Sequence, residues 1–161
     1  MALSESLDTI LVLGLGNTLL SDDGVGMHVL KSLEDEGSRQ TQVSYCHGGT
    51  LGLSLLPEIE DASALIVIDA AEIDAAPGTL RVFEGGDMDR QLGGKKYSAH
   101  EVALADLISS ASLMGKKPQR RALVATQPAD TSWGLEPTPK ITAAMPVACR
   151  EVNSLIERWT R

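Results

Sequence analysis

Three uninterrupted apolar runs of strand length constrain the fold of this chain more than any other feature. They cover Ile10 to Leu15, Ala64 to Ile68 and Ala122 to Ala125, and each ends in a Gly, an Asp or a Thr-Gln-Pro turn. Runs that are apolar at every position are typical of central strands in a sheet covered on both faces. We therefore expect these three segments to form the middle of a buried sheet.

Two further segments predict strands at or near the sheet edges. Gln42 to Cys46 alternates more between polar and apolar residues, and Thr79 to Phe83 follows the Pro77-Gly78 turn. The short link before Thr79 leaves no room for a crossover helix, so one strand is expected to be antiparallel. The sequence thus predicts five strands.

Segments with helical spacing separate the strands. Apolar residues recur at helical intervals from Val25 to Leu33, from Leu51 to Ile59 and from Val102 to Leu113. A last helix is expected over Thr138 to Trp159, opened by a Thr-Pro pair. Pro146 lies inside that pattern, which predicts either a kink or a helix that begins after the proline.

The alternation of strands and helices predicts an α/β fold, a three-layer αβα sandwich around a mostly parallel five-stranded sheet with one antiparallel strand. A length of 161 residues suits one domain, so we expect residues 1–161 to form a single unit. Gly85 to Gly94 contains four glycines and is expected to be a polar loop that leads toward His100.

The charge balance argues against a nucleic-acid partner. The formal net charge is -8, and Lys95-Lys96 and Lys116-Lys117 are isolated basic pairs rather than a stripe. An acidic surface repels phosphate backbones, so no nucleic acid is expected to bind.

The spacing of the cysteines, the N-terminal segment and the length of the apolar runs predict a cytoplasmic protein. Cys46 and Cys149 are too far apart in sequence for a metal knuckle or a redox CxxC motif. Met1 to Thr9 has no basic region of the kind that opens a signal peptide, and no apolar run reaches the roughly 18 residues of a bilayer span. We expect neither export nor a membrane anchor.

Three polar residues are expected to meet at one edge of the sheet. Asp23 lies in the loop after the first predicted strand, Asp69 ends the apolar run of the third, and His100 opens the helix after the glycine-rich stretch. Ligands of open α/β sheets collect at the carboxyl ends of the strands. Two carboxylates and an imidazole suit a divalent ion such as nickel, zinc, iron or manganese, with coordination positions left open.

Each of these residues also has a purely structural interpretation. Asp22 or Asp23 can cap the helix that begins near Gly24, which is the more common role of an Asp-Asp-Gly segment. Asp69 can brace a turn, and His100 can cap its own helix alongside Ser98. Spacing alone does not decide between capping and metal binding.

Two other motifs are weaker. Cys46-His47 suggests a thiol nucleophile with His47 or His100 as its base, but adjacent strand residues point to opposite faces, which favours Cys46 as a small buried hydrophobe. The Gly14 to Asn17 turn matches a dinucleotide loop poorly, because the third glycine position holds Leu19.

A family resemblance combines these features. Ile10 to Asn17, continued by Leu19 to Gly26, resembles the N-terminal signature of the hydrogenase maturation endopeptidases. The match continues in order to about residue 160 through Gly48-Gly49-Thr50-Leu51-Gly52, Ile68-Asp69-Ala70, Pro77-Gly78-Thr79 and Ser98-Ala99-His100.

The resemblance implies a nickel-dependent endopeptidase that removes the C-terminal extension of the [NiFe] hydrogenase large-subunit precursor after nickel insertion. It assigns the metal-binding and catalytic roles to Asp23, Asp69 and His100, with nickel supplied by the substrate's active site, and leaves Asp22 as a capping or supporting neighbour. A monomer that binds this precursor transiently is expected. A non-catalytic, metal-dependent binding or chaperone module for the large subunit is the alternative.

One position departs from the family pattern. Many members carry Asp immediately before Gly-Gly-Thr, where this chain has His47. The change alters both the charge and the donor pattern of a loop expected to help position the substrate tail. It suggests a subgroup that serves another hydrogenase class, such as a soluble NAD-linked one.

Overall fold

The computed structural model describes residues 9–37, 40–94 and 98–161. Within them one sheet is built from five strands in the order β2-β1-β3-β5-β4, with all pairs parallel except the antiparallel pair of β4 and β5. The strands are β1 Ile10–Leu15, β2 Val43–Gly49, β3 Ala64–Ala70, β4 Leu80–Glu84 and β5 Arg120–Thr126. The predicted five strands, their edge positions and the single antiparallel strand are confirmed.

Helices cover both faces of this sheet. They are α1 Val25–Asp35, α2 Leu56–Asp61, α3 Gly86–Gly93, α4 Ala99–Leu113 and α5 Pro139–Trp159, with 3-10 turns at Ser21–Gly24 and Gly52–Leu55. None of the described helices combines the length and the apolarity needed to cross a bilayer. The Lys95-Lys96 pair and residues 1–8 lie outside the described residues.

Alternate side chains of the central strands enter two separate cores. Val12 and Ile66 pack toward α1 and α5, whereas Leu13 and Val67 pack toward α2, α3 and α4. Strand side chains alternate between faces, so an unbroken apolar run serves both cores at once. The predicted three-layer αβα sandwich is confirmed.

The expectation of a polar loop over Gly85 to Gly94 is wrong. This segment contains α3, whose Met88 and Leu92 lie four residues apart and are both buried under the sheet. Burial of one apolar stripe outweighs the low helix propensity of the flanking glycines.

Two helix expectations also change. The segment from Leu51 to Ile59 begins as a 3-10 turn and becomes α2 only at Leu56. A helix start after Pro146 is wrong, because α5 runs unbroken from Pro139 to Trp159. Pro146 is exposed, and so is Thr142, whose carbonyl the missing amide would have bonded, so water can take the place of that hydrogen bond.

Close backbone packing brings the loop after β1 against β3. A Cβ atom on Gly26, at the start of α1, would lie 2.1 Å from the Ile68 carbonyl oxygen and 2.5 Å from that of Leu15. Gly16 has a φ of +118°, and a Cβ atom there would lie 2.0 Å from the carbonyl oxygen of Asp23. Only glycine fits such approaches, which set Asp23 beside the end of β3.

Candidate active site

Asp23, Asp69 and His100 meet at the carboxyl edge of the sheet, and all three side chains are buried. Asp23 lies in the 3-10 turn after β1, Asp69 near the end of β3, and His100 in the first turn of α4. The Nε2 atom of His100 is 2.7 Å from Asp23 Oδ1, and its Nδ1 atom is 2.9 Å from Asp69 Oδ2. The imidazole ring therefore bridges the two carboxylates, and all three residues predicted from the sequence are brought together.

Local structure orients each member of this group. The backbone amide of Asn17 donates to Asp23 Oδ2 at 3.0 Å, which leaves Oδ1 for His100. The first turn of α4 is capped by Ser98, which accepts from the Glu101 amide while the Glu101 side chain accepts from the Ser98 amide. His100 is therefore free of a capping role, and the capping interpretation of this residue is wrong.

The two hydrogen bonds decide the charge of the imidazole. Burial lowers the pKa of His100, but hydrogen bonds and charge from Asp23 and Asp69 outweigh burial and raise it to about 10. Burial raises the pKa of Asp23, yet His100 and the Asn17 amide hold it below its usual value. For Asp69, burial dominates and raises the pKa to about 6. At neutral pH an imidazolium thus lies between two carboxylates.

The carboxylate and imidazole groups are of the kinds that bind a divalent ion, but their arrangement in this structure does not form a metal site. Among the described residues, Asp69 Oδ1 is buried and has no hydrogen-bond partner, which makes it a free acceptor. Both ring nitrogens of His100 are engaged, however, and the described part of the chain contains no cluster of three His, Cys, Asp or Glu side chains arranged to hold a metal. An imidazolium cannot ligate, so His100 must first lose a proton and one hydrogen bond.

Asp22 does not cap the following helix. Its carboxylate is fully buried and accepts hydrogen bonds from the backbone amides of Ala129, Asp130 and Thr138 at 2.9, 2.9 and 2.6 Å, and from the Thr138 hydroxyl. These partners lie more than a hundred positions away in sequence. Asp22 therefore holds the segment between β5 and α5, and the capping interpretation is wrong.

Two cavities flank the group of three residues. One, of about 380 Å³, is lined by Asp23, Glu72 and Glu101, and the other, of about 330 Å³, by Asp23, His100 and Asn17, with Ser98 and Thr131 shared by both. Asp23 is reached from both cavities, and His100 from the second. Asn17 and Thr131 were not predicted from the sequence. The Gly-Leu-Gly-Asn turn was the only signal for Asn17, and Thr131 had none.

Cys46 and His47 do not form a nucleophile and base pair. The Cys46 side chain packs against the core under α2, and burial together with the charge of Glu58 raises the pKa of its thiol, which suppresses the reactive thiolate. The His47 ring lies 2.5 Å from Glu34 of α1. Its register partner Gly14 faces α1, so His47 lies on the face of the sheet opposite to α4 and His100.

Comparisons with known proteins agree with this architecture. The family model described as HycI, hydrogenase maturation protease, matches residues 27–155, a range that begins after Asp23 and includes Asp69 and His100. The chain is 35% identical over 153 residues to the hydrogenase expression/formation protein HupD of Rhodobacter capsulatus, which covers 94% of this chain and 73% of that protein.

Two further comparisons concern proteins from Escherichia coli. The hydrogenase 2 maturation protease of strain K12 is 32% identical over 144 residues, which is 89% of this chain and 87% of that protein. The solved structure of the hydrogenase maturating endopeptidase HybD is similar with a TM-score of 0.86, at 30% identity and 93% coverage of each chain. A family model that matches most of the chain and relatives of this similarity lead to one conclusion: the chain belongs to the hydrogenase maturation protease family.

Proposed function

We propose that this protein is an endopeptidase that removes the C-terminal extension of a [NiFe] hydrogenase large-subunit precursor after nickel insertion. Family membership and the protease activity of the relatives support the reaction type. The observation that carries the proposal is the buried group of Asp23, His100 and Asp69 at a sheet edge, where Asp23 lines two cavities and His100 lines one of them. The reaction takes place in the cytoplasm, where a monomer meets its precursor.

In this proposal the three residues contact the nickel of the precursor, so the metal is part of the substrate. Asp69 Oδ1, which accepts no hydrogen bond from the described part of the chain, is the acceptor available to the ion. A bound divalent ion polarises a carbonyl group or lowers the pKa of its water. His100 becomes a ligand only after it releases a ring proton, which couples engagement of the precursor to proton release.

The test uses three variants and the nickel-loaded precursor. Asp23→Asn, Asp69→Asn and His100→Ala each remove one member of the group, and each is expected to abolish cleavage while the far-UV circular dichroism spectrum stays that of the wild type. The intact mass of the precursor measures the loss of its C-terminal peptide. Cys46→Ala is the control and is expected to retain cleavage, because its thiol does not contact the site.

Three outcomes would contradict the proposal. Normal processing by all three variants would remove the assigned residues from the reaction, and loss of activity in Cys46→Ala alone would favour a thiol protease. A stable complex between wild-type protein and precursor without any loss of mass would indicate the non-catalytic binding module instead.

A further inference from the structure

The segment between β5 and α5, residues 127–138, carries large apolar side chains into solvent beside the site. We call it the β5–α5 loop. Trp133 is 80% exposed and Leu135 71%, and the neighbouring Leu19 is 46% exposed. We call these three side chains the apolar rim. Exposed apolar side chains that cluster, and exposed tryptophan above all, are typical of protein interaction sites.

Hydrogen bonds fix the backbone of the β5–α5 loop. The apolar rim is therefore exposed in an ordered segment. The Ser21 amide donates to the Gly134 carbonyl at 2.8 Å, the Gly134 amide donates to the Leu19 carbonyl at 3.0 Å, and the Ser21 hydroxyl donates to the Ser132 carbonyl at 2.8 Å. Ser21 adopts a φ of +49°, which a residue with a side chain seldom takes without such contacts.

The same loop is tied directly to the candidate active site. Asp22 anchors it through four donors, while the next residue, Asp23, binds His100. Thr131 of the loop lines both cavities, and Leu20, which pairs with Gly134, lines the one that contains His100. The apolar rim therefore lies beside the cleft that these two cavities form.

We propose that the apolar rim binds an apolar stretch of the precursor polypeptide next to the scissile bond, with Trp133 as the anchor. The proposal rests on the proposed function. An endopeptidase cuts within a chain, so a polypeptide seated at Asp23 and His100 continues past the cleft and crosses its margin. A rigid, preformed aromatic contact at that margin binds with little loss of conformational entropy.

The direct test observes Trp133 itself. The chain has two tryptophans, and Trp159→Phe leaves Trp133 as the only one. The variant is labelled with 5-fluorotryptophan, and unlabelled nickel-loaded precursor is added. The ¹⁹F resonance of Trp133 is expected to shift and broaden in proportion to the precursor bound.

The kinetic test compares the apolar rim with an equally exposed control. Trp133→Ala and Leu135→Ser are each expected to raise KM for the precursor about fivefold or more without lowering kcat, which is the size of effect typical of an anchoring side chain. Trp133→Phe is expected to recover most of the loss. Leu113→Ser is the control: Leu113 is 89% exposed at the far end of α4, about 20 Å along the helix from His100, and both constants stay unchanged.

The outcomes separate this inference from the proposed function. Cleavage with unchanged KM in Trp133→Ala and no ¹⁹F shift would overturn the binding role of the apolar rim while the proposed function stands. A ¹⁹F shift that grows with protein concentration before precursor is added would identify a second copy as the occupant and overturn the proposal. If the wild type does not cleave but the ¹⁹F shift with precursor is observed, the binding role holds and the proposed function fails.

Discussion

At the scale of single residues, two neighbouring aspartates have different roles because of the turn that contains them. Side chains in a 3-10 turn are separated by about 120°, so Asp22 and Asp23 point in different directions. Asp22 reaches the backbone of the β5–α5 loop, and Asp23 reaches His100. The pair connects the loop that carries the apolar rim with the group proposed to contact nickel.

The first prediction at this scale concerns the protonation of His100. Both ring nitrogens face carboxylate oxygens at hydrogen-bond distance, so both are expected to carry protons at pH 8. The ¹⁵N chemical shifts of the ring measure this state. Because the pKa in the folded protein, about 10, is above the reference value of 6.5, the ring contributes stability that is complete below pH 6.5 and is lost as the pH rises through 10.

Asp69→Asn supplies the comparison for this measurement. It removes one of the two carboxylates that hold the ring proton, so the ring is expected to deprotonate at a lower pH than in the wild type. A neutral imidazole at pH 8 in the wild-type protein would contradict the bridging geometry.

At the scale of elements, tertiary packing determines the role of glycine in two helices. In α3 packing outweighs the low helix propensity of glycine, and in α1 packing requires a glycine. α3 forms despite its glycines because Met88 and Leu92 enter the core beneath the sheet. α1 needs a glycine at its start because its backbone touches the ends of β1 and β3 at Gly26. The first effect creates a helix that the sequence pattern does not predict, and the second places Asp23 at the site.

The prediction for this scale uses a matched pair of glycines. Gly26→Ala is expected to destabilise the protein by about 3 kcal/mol, because the new methyl group collides with backbone oxygens that cannot move independently. Gly93→Ala, at the end of α3, meets no atom within 4 Å and is expected to change stability by less than about 1 kcal/mol. Urea unfolding curves measure both. Equal stability of Gly26→Ala and the wild type would refute the close approach.

At the scale of the whole molecule, the sheet separates two cores, and two cavities open at its carboxyl edge. The central strands β1, β3 and β5 supply side chains to both cores, whereas β2 and β4 lie at the edges. Stability is therefore concentrated at the centre of the sheet. The site lies at the end of the central strands, where rigid neighbours hold its carboxylates in position.

The prediction at this scale compares a central with an edge strand. Ile66→Ala in β3 leaves a cavity in a fully buried layer and is expected to cost about 2–5 kcal/mol of unfolding free energy. Val43→Ala in β2 removes a half-buried side chain from an edge strand and is expected to cost about 1 kcal/mol. Chemical denaturation of both variants gives the comparison. Equal losses would mean that stability is not concentrated in the central strands.

The α/β class, the five strands and the group of Asp23, Asp69 and His100 could be predicted from the sequence for a physical reason. Apolar runs and helical spacing report burial along the chain, and residues at the carboxyl ends of parallel strands converge at one edge whatever the details of packing. The family resemblance named the same three residues. These patterns can be recognised from neighbouring residues, without information on which distant segments contact each other.

Only the tertiary structure decided the features that depend on contacts between distant segments. The partners of Asp22 are more than a hundred positions away, α3 depends on the core that receives Met88, and the two carboxylates that engage His100 come from the turn after β1 and from β3. The position of Trp133 beside the cleft follows from the pairing of Leu20 with Gly134. Sequence determined which segments are buried and where the polar residues collect, whereas packing across the sheet determined what each polar side chain binds.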